Sequence, residues 1–339
     1  MSQRRPTSFD IAALAGVSQP TVSRALSGNP SVSEETRKRV LAAARQLHYT
    51  VDKNASGLRR QHSRTLALLF FEDPTPDESL INPFYLAMLG PMTRACARAG
   101  FDLLISFQQL SGDWHVDYED SRKADGIILL GYGDYTVARP RLEQLVRQGT
   151  HFVRWGAPGS GQVGNTIGSD NVQGGVLAAR HLVERGRRRI AFLGGASDNS
   201  PEFRDRYRGF RQALTDAGMS FDEALRIDAD PTEESGRQAV EELITKGLSF
   251  DAIFAASDLT AIGAMRALHV AGRTTPGDVA VVGFDNLAAS RMAEPSLTTI
   301  AQDTRLAGET LVETLIATIA GQVAQDVLLP VQLIVRQSS

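Results

Sequence analysis

Six residues within one span of seven, Ser18, Gln19, Pro20, Thr21, Ser23 and Arg24, carry the chemistry most readable in this chain. Hydroxyl, amide and guanidinium groups at one helix's spacing are what base edges and phosphates accept. Gln19 can pair bidentately with adenine, Arg24 favours a guanine or a phosphate, and Pro20 offers only apolar contact, such as with a thymine methyl. Residues that make or break bonds do not occur in sets. There is one cysteine, Cys96, and the six histidines are scattered with no metal-ligand pair on one helix face. Gly194-Gly195 is too short for a phosphate loop, and neither a G-x-G-x-x-G nor a Walker pattern occurs. No catalytic residue, no metal and no cofactor is expected.

The recognition groups need elements to hold them. Apolar Ile11, Leu14 and Ala15 predict one helical stripe, and Val22, Ala25 and Leu26 a second. Between them, Gly16 can take the left-handed conformation that ends a helix, and Ser18 can cap the next. Pro20 in the first turn loses an N–H that has no intrahelical partner there. Two short helices across a tight turn make a helix-turn-helix; a helical hairpin inside a core is the other reading. Thr7 or Ser8 caps the first helix, with a hydroxyl also in reach of a phosphate. Asn29-Pro30 turns the chain, Ser33 caps a third helix, and Val40, Leu41, Ala44 and Leu47 are its expected buried stripe.

Charge is distributed to match. Residues 1 to 64 hold 11 Lys/Arg and 4 Asp/Glu, a net of +7, so the overall −3 leaves −10 on the remainder. A basic N-terminal segment on an acidic body suits local attraction to a polyanion. No run of eighteen apolar residues and no secretory apolar segment occurs, so no membrane is expected and a cytoplasmic location is.

From Thr65 the pattern changes to short apolar runs alternating with helical ones. Strands are expected at 66–71, 102–106, 126–130, 152–155, 189–193, 252–255 and 279–283, and helices at 84–99, 174–185, 203–217, 235–246 and 259–271. Alternation over roughly 270 residues predicts two lobes of doubly wound parallel sheet, with a ligand at the strands' carboxyl ends. Asp170, Arg206, Ser257 and Asp285 fall near strand ends and helix starts on that side, where carboxylates and guanidinium groups bind sugar hydroxyls. Ser257 is either a ligand contact or only a helix cap, and Asp170 either a contact or a cap linking the lobes. Trp155 either stacks on a pyranose or packs between lobes.

The run D-I-A-A-L-A-G-V-S-Q-P-T-V-S-R-A-L, followed by V-S-E-E-T-R and L-H-Y, resembles the lactose-repressor-like (LacI/GalR) family of bacterial transcription regulators. Asn82-Pro83-Phe84, Asp170-Asn171, Gly174-Gly175, R-Y-R-G-F, Ser257-Asp258, V-G-F-D-N and L-T-T-I with Gln302 extend the likeness along the body. The resemblance implies an α/β fold: an all-α helix-turn-helix domain (1–50), a hinge helix (51–63) and a two-lobed core resembling periplasmic binding proteins (64–339). The first lobe would take 64–164 and 296–325, the second 165–295 and 326–339, with crossings near Gly164, Pro295 and Gln325. Thr7, Ser18, Gln19, Pro20, Thr21, Ser23, Arg24, Ser31, Asn54, Ala55, Leu58 and Arg59 would meet DNA, with Leu58 wedged into the minor groove. Ser27 stands where the family usually has Asn. Asn82, Phe84, Trp155, Asp170, Arg206, Ser257 and Asp285 would line the effector cleft, Arg206 and Asp285 foremost.

The implied function is a repressor, a homodimer or tetramer on pseudopalindromic double-stranded operator DNA, controlled by a small-molecule effector, by the family's commonest case a sugar or sugar phosphate, with nucleobases the other class left open. Inducer and corepressor both remain open. The alternative is a solute-binding protein of a transport system, which shares the body but has no use for the helix-turn-helix.

Overall fold

The structure, a computed structural model, describes residues 6–47, 49, 62–70, 81–108, 112–131, 134–159 and 161–339. It divides between Ser63 and Arg64 into two compact units. The hinge expectation, with Asn54, Ala55, Leu58 and Arg59, lies outside the described residues.

The first unit holds α1 (Ser8–Ala15), α2 (Gln19–Leu26) and α3 (Glu34–Gln46). Thr7 caps α1, its N–H and hydroxyl both donating to the Asp10 carboxylate at 2.7 Å. Gly16 ends the helix at φ 63°, the left-handed turn expected of it. The core is Ile11, Ala12, Ala15, Val22, Ala25, Val32, Val40, Ala43 and Ala44. Leu14 and Leu41 are exposed, at 47% and 40%. Alanines let three short helices approach closely, so the seam runs through Ala12 and Ala43, and the two leucines fall outside it.

The second unit contains two six-stranded sheets. β1 (Thr65–Phe70), β2 (Asp102–Phe107), β3 (Gly126–Leu130), β4 (Phe152–Trp155), β5 (Asn165–Ser169) and β11 (Val327–Leu329) form the first, ordered β11-β5-β4-β3-β1-β2 and parallel throughout. β6 (Ile190–Leu193), β7 (Arg226–Ile227), β8 (Ala252–Ala255), β9 (Ala280–Asp285), β10 (Thr298–Gln302) and β12 (Val331–Ile334) form the second, ordered β12-β10-β9-β8-β6-β7. Only the β10–β12 pairing there is antiparallel.

Helices cover both faces of each sheet, which is why the strands read as unbroken apolar runs. In β1, Leu66, Leu68 and Phe70 enter one core with Met88 and Met92 of α4 (Pro83–Ala99) and Leu311 and Leu315 of α11 (Thr304–Ile319). Ala67 and Leu69 point to the other face, against Leu142 and Leu145 of α5 (Tyr135–Gln148). The second sheet lies between α6 (Asn171–Glu184) with α7 (Pro201–Asp216) and α8 (Glu233–Thr245) with α9 (Asp258–Val270). A short α10 (Ala288–Met292) follows β9.

The lobe boundaries differ from those expected. Residues 165–169 pair with β4 and β11 in the first sheet, and residues 298–302 pair with β9 in the second. The chain therefore crosses at Asp170, at Asp303 and at Pro330, not near Gly164, Pro295 and Gln325. Each crossing is one residue between two elements: Asp170 and Asp303 each join a strand to the helix it caps, and Pro330 joins β11 to β12.

Candidate effector site and nucleic-acid interface

In the first unit the recognition groups lie on α2 and its flanks. Ser18 caps α2 and shares a hydrogen bond with Thr21, Oγ to Oγ1 2.9 Å. Gln19 Nε2 donates to Ser8 Oγ at 3.2 Å, tying the start of α2 to α1. Arg24 Nε donates to the Pro20 carbonyl at 3.3 Å, which lays the guanidinium along the outside of its own helix. Ser18, Pro20, Arg24 and Ser31 are exposed, and Thr7, Gln19, Thr21 and Ser23 partly so. Ser18, Gln19, Pro20, Thr21, Ser23 and Arg24 thus lie on α2 or at its N-cap, Thr7 at the start of α1 and Ser31 in the turn before α3, an arrangement that suits a recognition helix.

In the second unit, the carboxyl ends of the second sheet gather a buried polar group. Two near-contacts of backbone set its geometry. A Cβ on Gly175 would lie 2.0 Å from the Arg206 carbonyl, and one on Gly209 would lie 1.9 Å from that of Val172. Only glycine permits α6 and α7 to cross so closely, and that crossing carries Arg206 inward. Arg206 is 4% exposed. Its Nε donates to Asn171 Oδ1 at 2.9 Å, its Nη1 donates to the Ala256 carbonyl, and its guanidinium sits 3.7 Å from the Phe284 ring centroid. Asp285 ends β9 and places Oδ1 3.8 Å from Arg206 Nη1. Gln302 Nε2, from β10, donates to the same Oδ1 at 2.7 Å. Asp285 adopts φ 116° and Asn286 φ 57°, strained values for residues other than glycine that turn the carboxylate back towards the arginine.

Burial pushes the Asp285 carboxyl up to about 6, although Arg206 and Gln302 pull it down. Burial likewise pushes the Arg206 guanidinium down, against the field of Asp285. Asp258 is wholly buried and raised well above the ordinary carboxylate range, by burial and then by Asp285. It accepts from the Leu287 N–H at 2.7 Å and the Thr299 hydroxyl at 2.5 Å, fastening α9 to the β9–α10 turn.

The remaining expected ligand residues divide into caps and core. Asn82 caps α4, accepting from the Phe84 N–H at 2.9 Å. Asp170 caps α6 through the Gln173 N–H at 2.9 Å, and its own N–H donates to the Leu329 carbonyl at 2.8 Å, at the lobe crossing. Ser257, 2% exposed, caps α9 through the Thr260 N–H at 3.2 Å. Phe84 and Trp155 pack on each other, ring centroids 5.6 Å apart, at 5% and 4% exposure. Leu287 and Leu259 of the second lobe pack against the core that holds them. Arg206 and Asp285 are thus brought together, while Phe84 and Trp155 lie in the first-lobe core, where these two leucines of the second lobe reach it.

Asn171, Asp258 and Gln302 belong to the polar group and were not singled out as site residues, though each lies inside a quoted motif. Ala256, which takes part through its carbonyl, leaves no trace in sequence. Among the described residues no cluster of three His, Cys, Asp or Glu is arranged to hold a metal.

A helix-turn-helix unit joined to a two-lobed, doubly wound body with a polar group at the lobe boundary defines a ligand-responsive DNA-binding regulator. Residues 9–52 match the family model for bacterial regulatory proteins of the lacI family, and residues 179–339 the periplasmic binding protein-like domain. The chain is 35% identical to the HTH-type transcriptional regulator CelR of Thermobifida fusca, with 99% of each covered. It is 29% identical to the ribose operon repressor of Escherichia coli K12, covering 91% of this chain and 92% of that one. Among solved structures, a lac repressor dimer bound to operator and the anti-inducer ONPF matches with a TM-score of 0.84, 28% identity and 99% of each chain. A CelR–cellobiose complex matches with a TM-score of 0.74 and 33% identity, covering 99% of this chain and 100% of that one. The chain belongs to the lacI family of bacterial regulatory proteins. It is a DNA-binding transcriptional regulator and not an enzyme, and the transport alternative falls away.

Proposed function

We propose that the protein is a repressor which binds a pseudopalindromic operator as a homodimer and changes its affinity when a sugar enters between the lobes. The observation that carries the ligand part is the buried Arg206–Asp285 pair beside Asn171 and Gln302. A guanidinium and a carboxylate held rigidly at strand ends can take adjacent sugar hydroxyls through charge-assisted hydrogen bonds, one donating and one accepting. The Phe84–Trp155 pair gives a sugar ring its apolar wall. Asn82, Asp170 and Ser257 contribute by holding helix ends at the cleft's rim.

On the DNA side, Gln19 and Pro20 read bases, Arg24 reads a guanine or a phosphate, and Thr7, Ser18, Thr21, Ser23 and Ser31 hold the backbone. Asn54, Ala55, Leu58 and Arg59 complete the minor-groove contact. An apolar edge supports the homodimer. The edge strand β2 leaves Ile105 and Phe107 47% and 39% exposed, and Leu86 on the adjacent α4 is 43% exposed. A regulator of DNA works in the cytoplasm, and no described helix is long and apolar enough to cross a membrane.

Fluorescence anisotropy of the full chain on DNA from its own upstream region, at fixed salt, tests the reading. Cellobiose and ribose are the first probes, followed by other saccharides and sugar phosphates. Saturable binding that Gln19→Ala or Leu58→Gly abolishes is expected. A sugar that weakens it is an inducer, and one that tightens it a corepressor. Absence of sequence-selective binding at every upstream fragment would overturn the repressor reading.

A further inference from the structure

The lobes are joined at one side, where three chain crossings cluster by β5, β10, β11 and β12. A second link stands away from them. The N–H of Tyr135, in the first lobe, donates to the carbonyl of Asn199, in the second, at 2.9 Å. Strand β3, which leads to Tyr135, is two places from β5 in its sheet, and β6, which leads to Asn199, is three places from β10. At about 4.8 Å per strand, these leads stand about 10 and about 14 Å from the crossing strands. Any rotation of the lobes about the crossings acts on this bond with that lever arm.

The start of α5 directs this N–H out of the helix. Asp134 is the N-cap, and its carboxylate accepts from the N–H groups of Thr136 at 2.8 Å and Val137 at 3.3 Å. That satisfies the second and third helical donors and leaves the first, on Tyr135, without an intrahelical acceptor. Tyr135 is itself held firmly. It is 4% exposed, its hydroxyl accepts from the Val163 N–H at 3.2 Å, and the buried Arg154 guanidinium lies 5.4 Å from its ring centroid. Asn199 lies in the loop that precedes α7, next to its N-cap Ser200, and α7 is the helix that carries Arg206.

We propose that the Tyr135 N–H to Asn199 carbonyl bond is a latch across the cleft, making Tyr135 a positioning residue that sets the balance of closed and open lobes. Its consequence for effector response rests on the cleft reading above, but its test does not. Proline is tolerated at the first position of a helix, and Asp134, at φ −79° and ψ 110°, already has the extended backbone that precedes proline. Y135P therefore removes the donor, while Y135A removes the same side chain and keeps the donor.

Nitroxide labels on Val146→Cys and Asp216→Cys, both exposed and at the far ends of α5 and α7, report the lobe separation in the full chain; Cys96 is buried. Neither DNA nor a sugar is needed, so failure here leaves the repressor reading standing. Y135P is expected to raise the longer-distance population about fivefold over Y135A, as loss of one net hydrogen bond does. Equal distributions in the two variants, both narrow or both broad, would overturn the latch. If Y135P does not fold, amide exchange of Tyr135 in the unaltered protein decides. Slow exchange is expected, and exchange as fast as an open first turn refutes it.

Discussion

Replacing Arg206 with methionine removes the cation that, among the described residues, pairs with Asp285. The guanidinium is buried, makes hydrogen bonds to Asn171 and Ala256, and lies 3.8 Å from the Asp285 carboxylate. At that distance, an effective dielectric of about 20 gives an attraction of about 4 kcal/mol. Removing one partner of a buried pair costs about 3–5 kcal/mol, because the other is left charged and uncompensated. In a body of this size that lowers the melting temperature by about 6–15 °C. Methionine has nearly the volume of the arginine stem, so packing against Phe284 is largely kept. The assay is urea and thermal unfolding of R206M, D285N and the double variant at pH 7.5, above the folded-state value of about 6 for Asp285. The double variant should recover about 2–3 kcal/mol relative to the sum of the singles, the signature of direct coupling. Additivity within about 0.5 kcal/mol would refute the account of Arg206 and Asp285 as an interacting pair.

Further outcomes follow from the structure. In the proposed cleft Asp285 accepts from a sugar hydroxyl as a carboxylate, so on that proposal effector affinity should fall as pH drops through about 6. Titration calorimetry should find it about tenfold weaker at pH 5 than at pH 7, with D285N nearly flat. The same raised carboxyl works oppositely on stability, its contribution growing as pH falls from 7 and the buried charge is neutralised. His181, buried and hydrogen-bonded to Ser339 Oγ at 2.8 Å, is held below its ordinary value, first by burial and then by Arg185. It stabilises the fold in its neutral form above pH 6.5 and loses that contribution as pH falls further, so H181Q should flatten the stability profile between pH 5 and 7. G175A should destabilise strongly or prevent folding, because its Cβ meets backbone at 2.0 Å. G90A, whose Cβ meets only the tip of Arg94 at 3.9 Å, should raise stability by about 0.5–1 kcal/mol in chemical denaturation.

Local chemistry made some of this legible. Gly16 and Ser18 specify their turn and cap without help from the rest of the chain. The apolar run at 66–71 predicts a strand covered on both faces, and residues 65–70 form β1; Asp285 falls just after another such run. What stayed hidden depends on partners distant in sequence. Residues 165–169 and 327–329 are short and compositionally plain, and nothing but their ladder bonds assigns them to the first sheet, so the crossings at Asp170 and Pro330 could not be placed. Residues 135–148 were not read as a helix, and Pro140 within them is an ordinary helix breaker. Leu14 and Leu41 satisfy a periodic stripe yet lie outside the seam, because alanines set the close packing. Trp155 was left between two roles; its contact with Phe84 places it in the first-lobe core at the boundary.

The path of the chain through the lobes also constrains how the protein is made. The body's first sheet needs residues 327–329 as an edge, and the second needs residues 331–334 beside β10. Ser338 then fastens the second sheet, accepting from the Thr298 N–H at 2.8 Å and donating to the Val281 carbonyl at 2.5 Å. Neither lobe is complete on a ribosome that has emitted only the first 300 residues. The three-helix unit, whose core is drawn from residues 11–44, can assemble as soon as it emerges. The helix-turn-helix unit can therefore be folded while the body is still unable to close.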